Sequence, residues 1–479
     1  MSLKLRKFFK SEAIFLIISV MIGLTLSLFA LSNNYFIWTD GCVYAIAGKN
    51  LIEGKGYTFS GKPQLFYPPL YPIAIGLLYK VIGNLELAGH LVSVISWIGT
   101  IVIFFFLVKE FYRTSRVAIL ATFLLASNGF LVIASSRVMS ESLFIFLILS
   151  SLYLTIKILG SSMSLTLFAL NGFVLGLSYL TRPEGFFFFV VTLFSLFFLG
   201  PANKRQKSIG LLAVLTCFSF LAFPYVIFLH SNTGKWQLSG KTGHNLILGE
   251  KITSDVPISI ERFLLKLSGD KRFVDPMYVQ KDLGFFQYLK EHPKAMAIRY
   301  IENLKIMQRT VVHLISLLGL LLISASFFAT DWDSIRKRKE GFLLLVIPIS
   351  LVYPFFLVLE RFLFPFLVIF IIWESRGLLA VRDWLRYLLG LDKLITGLVL
   401  TFGLIIVSYS LRPVIDVYKQ ELPYEYKEMG IWMKEHIKGI EKEYVVSRTP
   451  WVSFYAGAKH LTFPYVDSCL LYTSPSPRD

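Results

Sequence analysis

Residues 180–200 read LTRPEGFFFFVVTLFSLFFLG. From Gly185 onward this stretch carries no charged side chain, and a run of roughly 20 apolar residues is long enough to cross a hydrocarbon core of about 30 Å as a helix. A second apolar run, 165–181, precedes it, so Arg182, Pro183 and Glu184 form a tight turn between two spans. Pro183 suits the first turn of the second helix. Lipid offers backbone amides no partners, so both runs must be helices.

Similar runs lie near 13–31, 87–108, 117–135, 141–159, 208–230, 310–329, 341–359, 362–381 and 393–412, which with the first two makes about eleven spans. Of the 479 residues, 55% are hydrophobic and only 16% charged, and mean hydropathy is +0.63. A soluble globular chain of this length does not carry that balance. The fold expected is an all-α polytopic membrane protein.

The formal net charge is +17, a value that can signal nucleic-acid binding. Here the basic residues sit in alternate connections: Lys109, Arg113 and Arg116; Lys157; Lys204, Arg205 and Lys207; Arg336 to Lys339; Arg382, Arg386 and Lys393. That is the positive-inside pattern, which assigns these loops and the N-terminus to the cytosol and makes anionic lipid, not nucleic acid, the partner of the charge. Lys4 to Lys10 followed by 13–31 reads as an uncleaved signal-anchor. Cys42, Cys217 and Cys469 give no disulfide framework, and no HExxH or Cys/His cluster offers a metal site.

Three segments then face outward: a first loop (33–86), a second (231–308) and the sequence after Arg412. Leu70 to Val81, flanked by prolines, is too short to cross and is expected to lie along the interface or to re-enter the membrane. Phe285 to Ile306 has the alternation of an amphipathic surface helix. Residues 413–467 read as a small extracytoplasmic α/β domain, helix-like from Tyr426 to Ile437 and strand-like from Tyr444 to Ser447. Residues 468–479, SCLLYTSPSPRD, read as a non-native tail that leaves this domain incomplete.

Charged side chains at the outer ends of spans are expensive, on the order of 3 kcal/mol at membrane depth, unless they are paired, wetted or functional. They are Asp40, Arg137 with Glu141, Arg182 with Glu184, and Glu360 with Arg361. Asp40 fits either a general base or the cap of the helix that follows. Arg137 and Glu141 are spaced i and i+4 and fit a mutual pair; Arg182 and Arg361 fit interfacial arginines paired with a neighbouring Glu. Collectively they fit a phosphate, which a guanidinium binds bidentately. Gly54, Gly56 and Gly61 lack the strand and helix of a phosphate loop, and Asp331-Trp332-Asp333 reads as a solvated turn.

The ordered set Asp40-Gly41…Tyr44, Gly54-Lys55-Gly56-Tyr57, Tyr67-Pro68-Pro69-Leu70-Tyr71-Pro72, Met139-Ser140-Glu141, Leu180 to Gly185, and Arg361 with Pro365 resembles the membrane-embedded C-type (GT-C) glycosyltransferases. The nearest group is the dolichyl-phosphate-mannose protein mannosyltransferases and aminoarabinose lipid A transferases. The resemblance implies transfer of a sugar, with inversion, from a polyprenyl-phosphate carrier to a protein, lipid or glycan acceptor on the outer face of the cell membrane. It implies Asp40 as base, Arg182, Arg361 and Arg137 on the donor phosphate, Glu141 and Glu184 orienting the arginines, and Tyr44, Tyr67, Pro69 and Tyr71 in the substrate loop. Relatives often carry a second acid after the first; here Gly41 stands in its place, so neither a metal nor another cofactor is expected. The rival readings are a transporter or flippase of an anionic lipid-linked sugar and a non-catalytic scaffold in envelope assembly.

Overall fold

The computed structural model describes residues 3–160, 164–201, 203–243, 245–246, 285–329, 332–390, 392–419 and 422–462. Most of the expected second loop, Asp331 and the 468–479 tail lie outside these residues.

Helices dominate: α1 (Leu3–Ser32), α2 (Thr39–Ile52), α3 (Leu70–Ile82), α4 (Leu85–Tyr112), α5 (Ser115–Ala126), α6 (Gly129–Ser136), α7 (Glu141–Leu159), α8 (Leu165–Thr181), α9 (Gly185–Leu199) and α10 (Lys204–Thr233). After the undescribed stretch come α11 (Phe285–Glu291), α12 (Pro293–Phe328), α13 (Ser334–Val346), α14 (Phe364–Leu389), α15 (Asp392–Lys419), α16 (Tyr424–His436) and α17 (Trp451–Ala456). Side-chain caps set several of their starts: Asn84, Asn128 and Asn203 each accept from the backbone amide three residues on, at 3.0, 3.3 and 2.9 Å, which satisfies one of the amides a helix leaves open.

Among the described residues seven helices are long and apolar enough to cross a membrane, or eight if α5 and α6, bent by 56°, count as one span. The expected runs 165–181 and 184–200 are the shorter apolar helices α8 and α9. The run expected at 341–359 divides between α13 and a 3₁₀ segment, Ile347–Phe355. Pro348 and Pro354 explain the division, since each removes an amide donor and crowds the preceding turn. The amphipathic stretch expected at 285–306 is continuous with its span: α12 runs on to Phe328, kinked at Ser316 where φ is 68°.

The buried core is formed by α4, α5, α7 and α14, with Trp97, Phe104, Phe111, Ile148, Phe366 and Ile372 among its fully enclosed side chains. Helix α2 packs against α3. Gly48 of α2 and Gly76 of α3 each lie against the other helix's backbone, where a Cβ would collide, so the two helices form a tight platform. A short hairpin, β1 (Thr58–Phe59) with β2 (Lys62–Pro63), joins them.

Beyond α15, helices α16 and α17 and two parallel strands, β3 (Tyr444–Ser447) and β4 (Lys459–Thr462), form a small unit. It docks onto the membrane part through a buried cluster. Lys427 Nζ donates to both Glu86 carboxylate oxygens, at 3.0 and 2.9 Å, and to the Tyr35 carbonyl at 3.0 Å. Tyr455 OH donates to Glu86 at 2.7 Å and accepts from the Ile37 amide at 3.1 Å.

Candidate active site

Four loop or helix-end segments converge beneath that docked unit. Helix α8 stops at Thr181 because Pro183 follows; Arg182, the residue before proline, is extended (φ −149°, ψ 138°), as the clash with the proline ring requires. Gly185 then lets the chain return: a Cβ there would stand 2.5 Å from the Tyr179 amide nitrogen. Leu359 is extended before the 3₁₀ turn Glu360–Leu363, and Pro365 opens α14, which leaves Arg361 projecting inward. Glu141 begins α7, and Asp40 lies in the first turn of α2.

Arg361 Nη1 donates to Asp40 Oδ2 at 3.2 Å, and its Nε stands 3.7 Å from Glu141 Oε1. That same Glu141 oxygen accepts from Arg182 Nη1 at 2.7 Å, while Arg182 Nη2 donates to Glu184 at 3.0 Å. The result is a chain of charges, Asp40–Arg361–Glu141–Arg182–Glu184. Glu141 and Arg182 are almost fully enclosed, whereas Asp40 and Arg361 keep 28% and 36% of their side-chain surface open, so the exposed end of the chain is the Asp40–Arg361 end. Oε2 of Glu141 and of Glu184 are buried without a hydrogen-bond partner, which leaves two acceptors for a ligand's hydroxyl groups.

Two of the pairings anticipated from sequence are corrected. Arg137 and Glu141 do not form an i,i+4 pair, because α6 ends at Ser136 and α7 starts at Glu141; no helix spans them. The Arg137 guanidinium lies 5.7 Å from the Trp38 ring instead. Arg361 does not pair with Glu360, which stands 3.6 Å from His313 Nε2. Asp40 is not the helix cap either: Trp38 holds that position, without a side-chain hydrogen bond.

The chain of charges lines a cavity of about 310 Å³ together with Tyr44, Phe59, Phe66, Tyr67, Lys241 and Phe362. Arg448, Pro450 and His460 of the docked unit complete its wall. Arg137 lines a neighbouring cavity of about 870 Å³ that shares Glu141, Leu359 and Arg361 with the first and adds Arg412 and Asp416. Tyr71 is fully buried and hydrogen-bonded to Ser93 at 2.7 Å; it and Pro69 are not among the residues lining the cavity. Lys241, Arg448 and His460 escaped the sequence reading, being single polar residues in loops with no periodic context.

Burial alone would raise the Asp40 carboxyl; the charges of Arg361 and Lys241 and hydrogen bonds from Tyr67 and Arg361 outweigh it and hold Asp40 below its ordinary value of 3.8. Glu184 is likewise held low, with Arg182 overcoming its burial. Burial pushes Lys241 down to about 8, helped by Arg182 and Arg361 and opposed by Asp40 and Glu184. Burial also pushes His460 down to about 4, so that it is neutral at pH 7.

Gly41 is confined. A Cβ there would stand 2.7 Å from Ile37 Cγ1 and 2.9 Å from the Val138 carbonyl oxygen, so a second acid after Asp40 has no room. Among the described residues no three His, Cys, Asp or Glu side chains are grouped to hold a metal ion.

Residues 67–228 match the sequence model of the family described as dolichyl-phosphate-mannose-protein mannosyltransferase. No curated protein matches the chain. Among solved structures, the oligosaccharyltransferase of Archaeoglobus fulgidus is similar at 16% identity and a TM-score of 0.62, over 94% of this chain. ArnT from Cupriavidus metallidurans in the apo state is similar at 10% identity and a TM-score of 0.60, over 93% of this chain. The fold is that of the GT-C glycosyltransferases. The chain spans 62% of the archaeal protein's length and 85% of ArnT's. The matched stretch 67–228 carries Tyr67, Glu141, Arg182 and Glu184 of the cavity wall, while Asp40, Lys241 and Arg361 lie outside it in sequence.

Proposed function

We propose that this chain is an integral membrane glycosyltransferase that moves a sugar from a polyprenyl-phosphate donor to a hydroxyl acceptor at the outer membrane face. The observation that carries this reading is the Asp40–Arg361 contact at the open end of a buried charge chain. It supports the reading because Asp40, taken here as the base, and Arg361, taken as a phosphate ligand, are within one hydrogen bond of each other. The fold and the family match support the same reaction class.

In this reading the acceptor hydroxyl gives its proton to Asp40 as its oxygen bonds the anomeric carbon from one face. The bond from that carbon to the phosphate oxygen breaks on the other face, and polyprenyl phosphate leaves with the electron pair. Configuration inverts. A carboxylate held below its usual pKa is a weak base, which suffices where an oxocarbenium-like centre forms first and the hydroxyl proton is lost late. Arg361 and Arg182 are fixed donors aimed at the phosphate as charge develops on it, and such preorganised groups favour the transition state over the ground state. Glu141 holds both guanidinium groups in place from behind. The unpartnered Oε2 atoms of Glu141 and Glu184 accept hydroxyl groups of the sugar.

The test is release of polyprenyl phosphate from a radiolabelled polyprenyl-phosphate sugar by the purified full chain, with Asp40→Asn alongside. Release by the wild type that vanishes in the variant supports the assignment. Equal release from both removes Asp40 from the chemistry, and donor uptake into vesicles without release points to a transporter.

A further inference from the structure

The two arginines of the site are already committed. Arg182 serves Glu141 and Glu184, and Arg361 serves Asp40 and Glu141. Three carboxylates therefore outnumber two guanidinium groups before any phosphate arrives, and the group that must stabilise an anion is itself net negative. A phosphate entering such a cluster is repelled unless further positive charge comes with the cavity. The remaining basic side chains on its wall are Lys241, Arg448 and His460, and burial holds His460 neutral.

Lys241 is placed by two anchors. The Tyr179 hydroxyl donates to the Leu238 carbonyl at 2.7 Å, and Gly240 lies so close to the Leu65 carbonyl that a side chain there would collide. These contacts clamp the start of the second external loop onto α8 and onto the first loop. The Lys241 ammonium then rests over the rings of Tyr67 and Phe66, 4.2 and 4.8 Å from their centroids, and among the described residues it forms no ion pair. Ring faces hold a cation more weakly than a charge-assisted hydrogen bond does, so this ammonium has more to gain from an anion than either arginine.

We infer that Lys241 is a donor-binding residue, its ammonium leaving the Phe66–Tyr67 shelf to bond a phosphate oxygen of the lipid-linked donor. This rests on the glycosyltransferase reading above and adds to it a cation from a different loop. The charged groups facing Lys241 are Asp40 from α2, Arg182 and Glu184 from the α8–α9 turn, and Arg361 from the 3₁₀ turn. Arg448 and His460 lie on the same wall. Burial pushes the Tyr67 phenol up, so it stays protonated through the neutral and mildly alkaline range.

The experiment is equilibrium binding of farnesyl phosphate, a short polyprenyl phosphate, to the detergent-solubilised full chain and to Lys241→Met and Lys241→Arg. A phosphate monoester loses its second proton near about pH 6, so the titration of interest lies above pH 7. Wild-type affinity is expected to fall up to about tenfold per pH unit above about 8. Lys241→Met should bind about 10- to 100-fold more weakly at pH 7 and show no such fall. Lys241→Arg should keep the affinity and lose the pH dependence. Lys241→Met binding like wild type, or Lys241→Arg retaining the alkaline fall, overturns the inference while leaving the glycosyltransferase reading intact. A folded wild type that does not bind farnesyl phosphate at any pH sinks that reading, and the lysine's role with it.

Discussion

Asp40 and Arg361 lie 321 positions apart in the chain and meet at 3.2 Å. The contact joins α2 to the turn before α14, so the candidate base and the candidate phosphate ligand are fixed relative to each other before substrate binds. Asp40→Asn keeps the side chain's size and its ability to accept from Arg361 but cannot take a proton. Transfer should fall by about 10²- to 10⁴-fold, the usual contribution of a positioned base. Donor affinity should hold or tighten, because a negative charge beside the phosphate is gone. A parallel loss of both would instead mark Asp40 as a structural partner of Arg361.

Because Arg361 is the largest of the influences opposing burial at Asp40, it controls the acid side of the pH profile. In the wild type Asp40 stays ionised below its ordinary value of 3.8, so kcat/KM should be flat from pH 7 down to about 4. Removing the charge in Arg361→Gln lets burial dominate and raises the carboxyl, so a falling limb should appear between about pH 4 and 6 in the residual activity. The same sign governs stability. A carboxyl held low stabilises the fold above its unfolded value and loses that contribution as pH falls through the folded one. A profile for Arg361→Gln without an acid limb would show that Arg361 does not set the protonation of Asp40.

Glu141 Oε1 contacts both guanidinium groups, at 2.7 Å from Arg182 and 3.7 Å from Arg361. Glu141→Gln preserves shape and removes the charge that holds them together. Turnover is expected to drop about 10- to 100-fold, since small displacements of fixed donors are costly. The KM for donor should change less, because both arginines remain to attract the phosphate. A KM effect equal to the kcat effect would show that Glu141 acts mainly through its Oε2 contact with the sugar and not by holding the arginines.

Much of this was readable in the chain and some was not, for physical reasons. Apolar runs and the sidedness of Lys and Arg report membrane spans directly, because every residue of a span pays the same solvation term. The outer charges Asp40, Glu141, Arg182, Glu184 and Arg361 stood out as exceptions to that term, and the structure gathers all five on one cavity. Sequence adjacency gave the Arg182–Glu184 pair but hid the rest, since it suggested Arg137 with Glu141 and Arg361 with Glu360, while a helix break at 137 and an inward-facing 3₁₀ turn at 361 redirect both. Lys241 gave no signal. Its place depends on Gly240 meeting Leu65 across two loops, which no local pattern encodes.

Gly41 tests how tightly Asp40 is held. The Cβ of Gly41→Ala would meet Ile37 Cγ1 at 2.7 Å and the Val138 carbonyl oxygen at 2.9 Å, and a backbone oxygen cannot swing aside as a flexible side chain can. Helix α2 must shift outward, carrying Asp40 away from Arg361. The expected result is a loss of activity of about 100-fold with only a modest loss of thermal stability, read from turnover and from melting of the detergent-solubilised protein. Activity within a few-fold of wild type would mean that α2 has slack at this point and that Asp40 does not need its present position.

The last prediction concerns the unit that roofs the cavity. Glu86 is 8% exposed and Lys427 16%, so their ion pair lies largely out of water, and Tyr455 occupies one of the same carboxylate oxygens. Removing a single partner strands a buried charge, a loss of about 3 kcal/mol or more, whereas removing both together restores balance. Lys427→Met should therefore loosen α16 and α17 from the platform, exposing α16 to protease and raising KM for the acceptor as Arg448, Pro450 and His460 leave the cavity wall. Adding Glu86→Gln to Lys427→Met should recover much of the protease resistance, because the amide still accepts from Tyr455 and no charge is left unpaired. Strictly additive losses in the double variant would show that the two residues act independently and that the roof is held by the apolar contacts of Phe36, Trp451 and Tyr455.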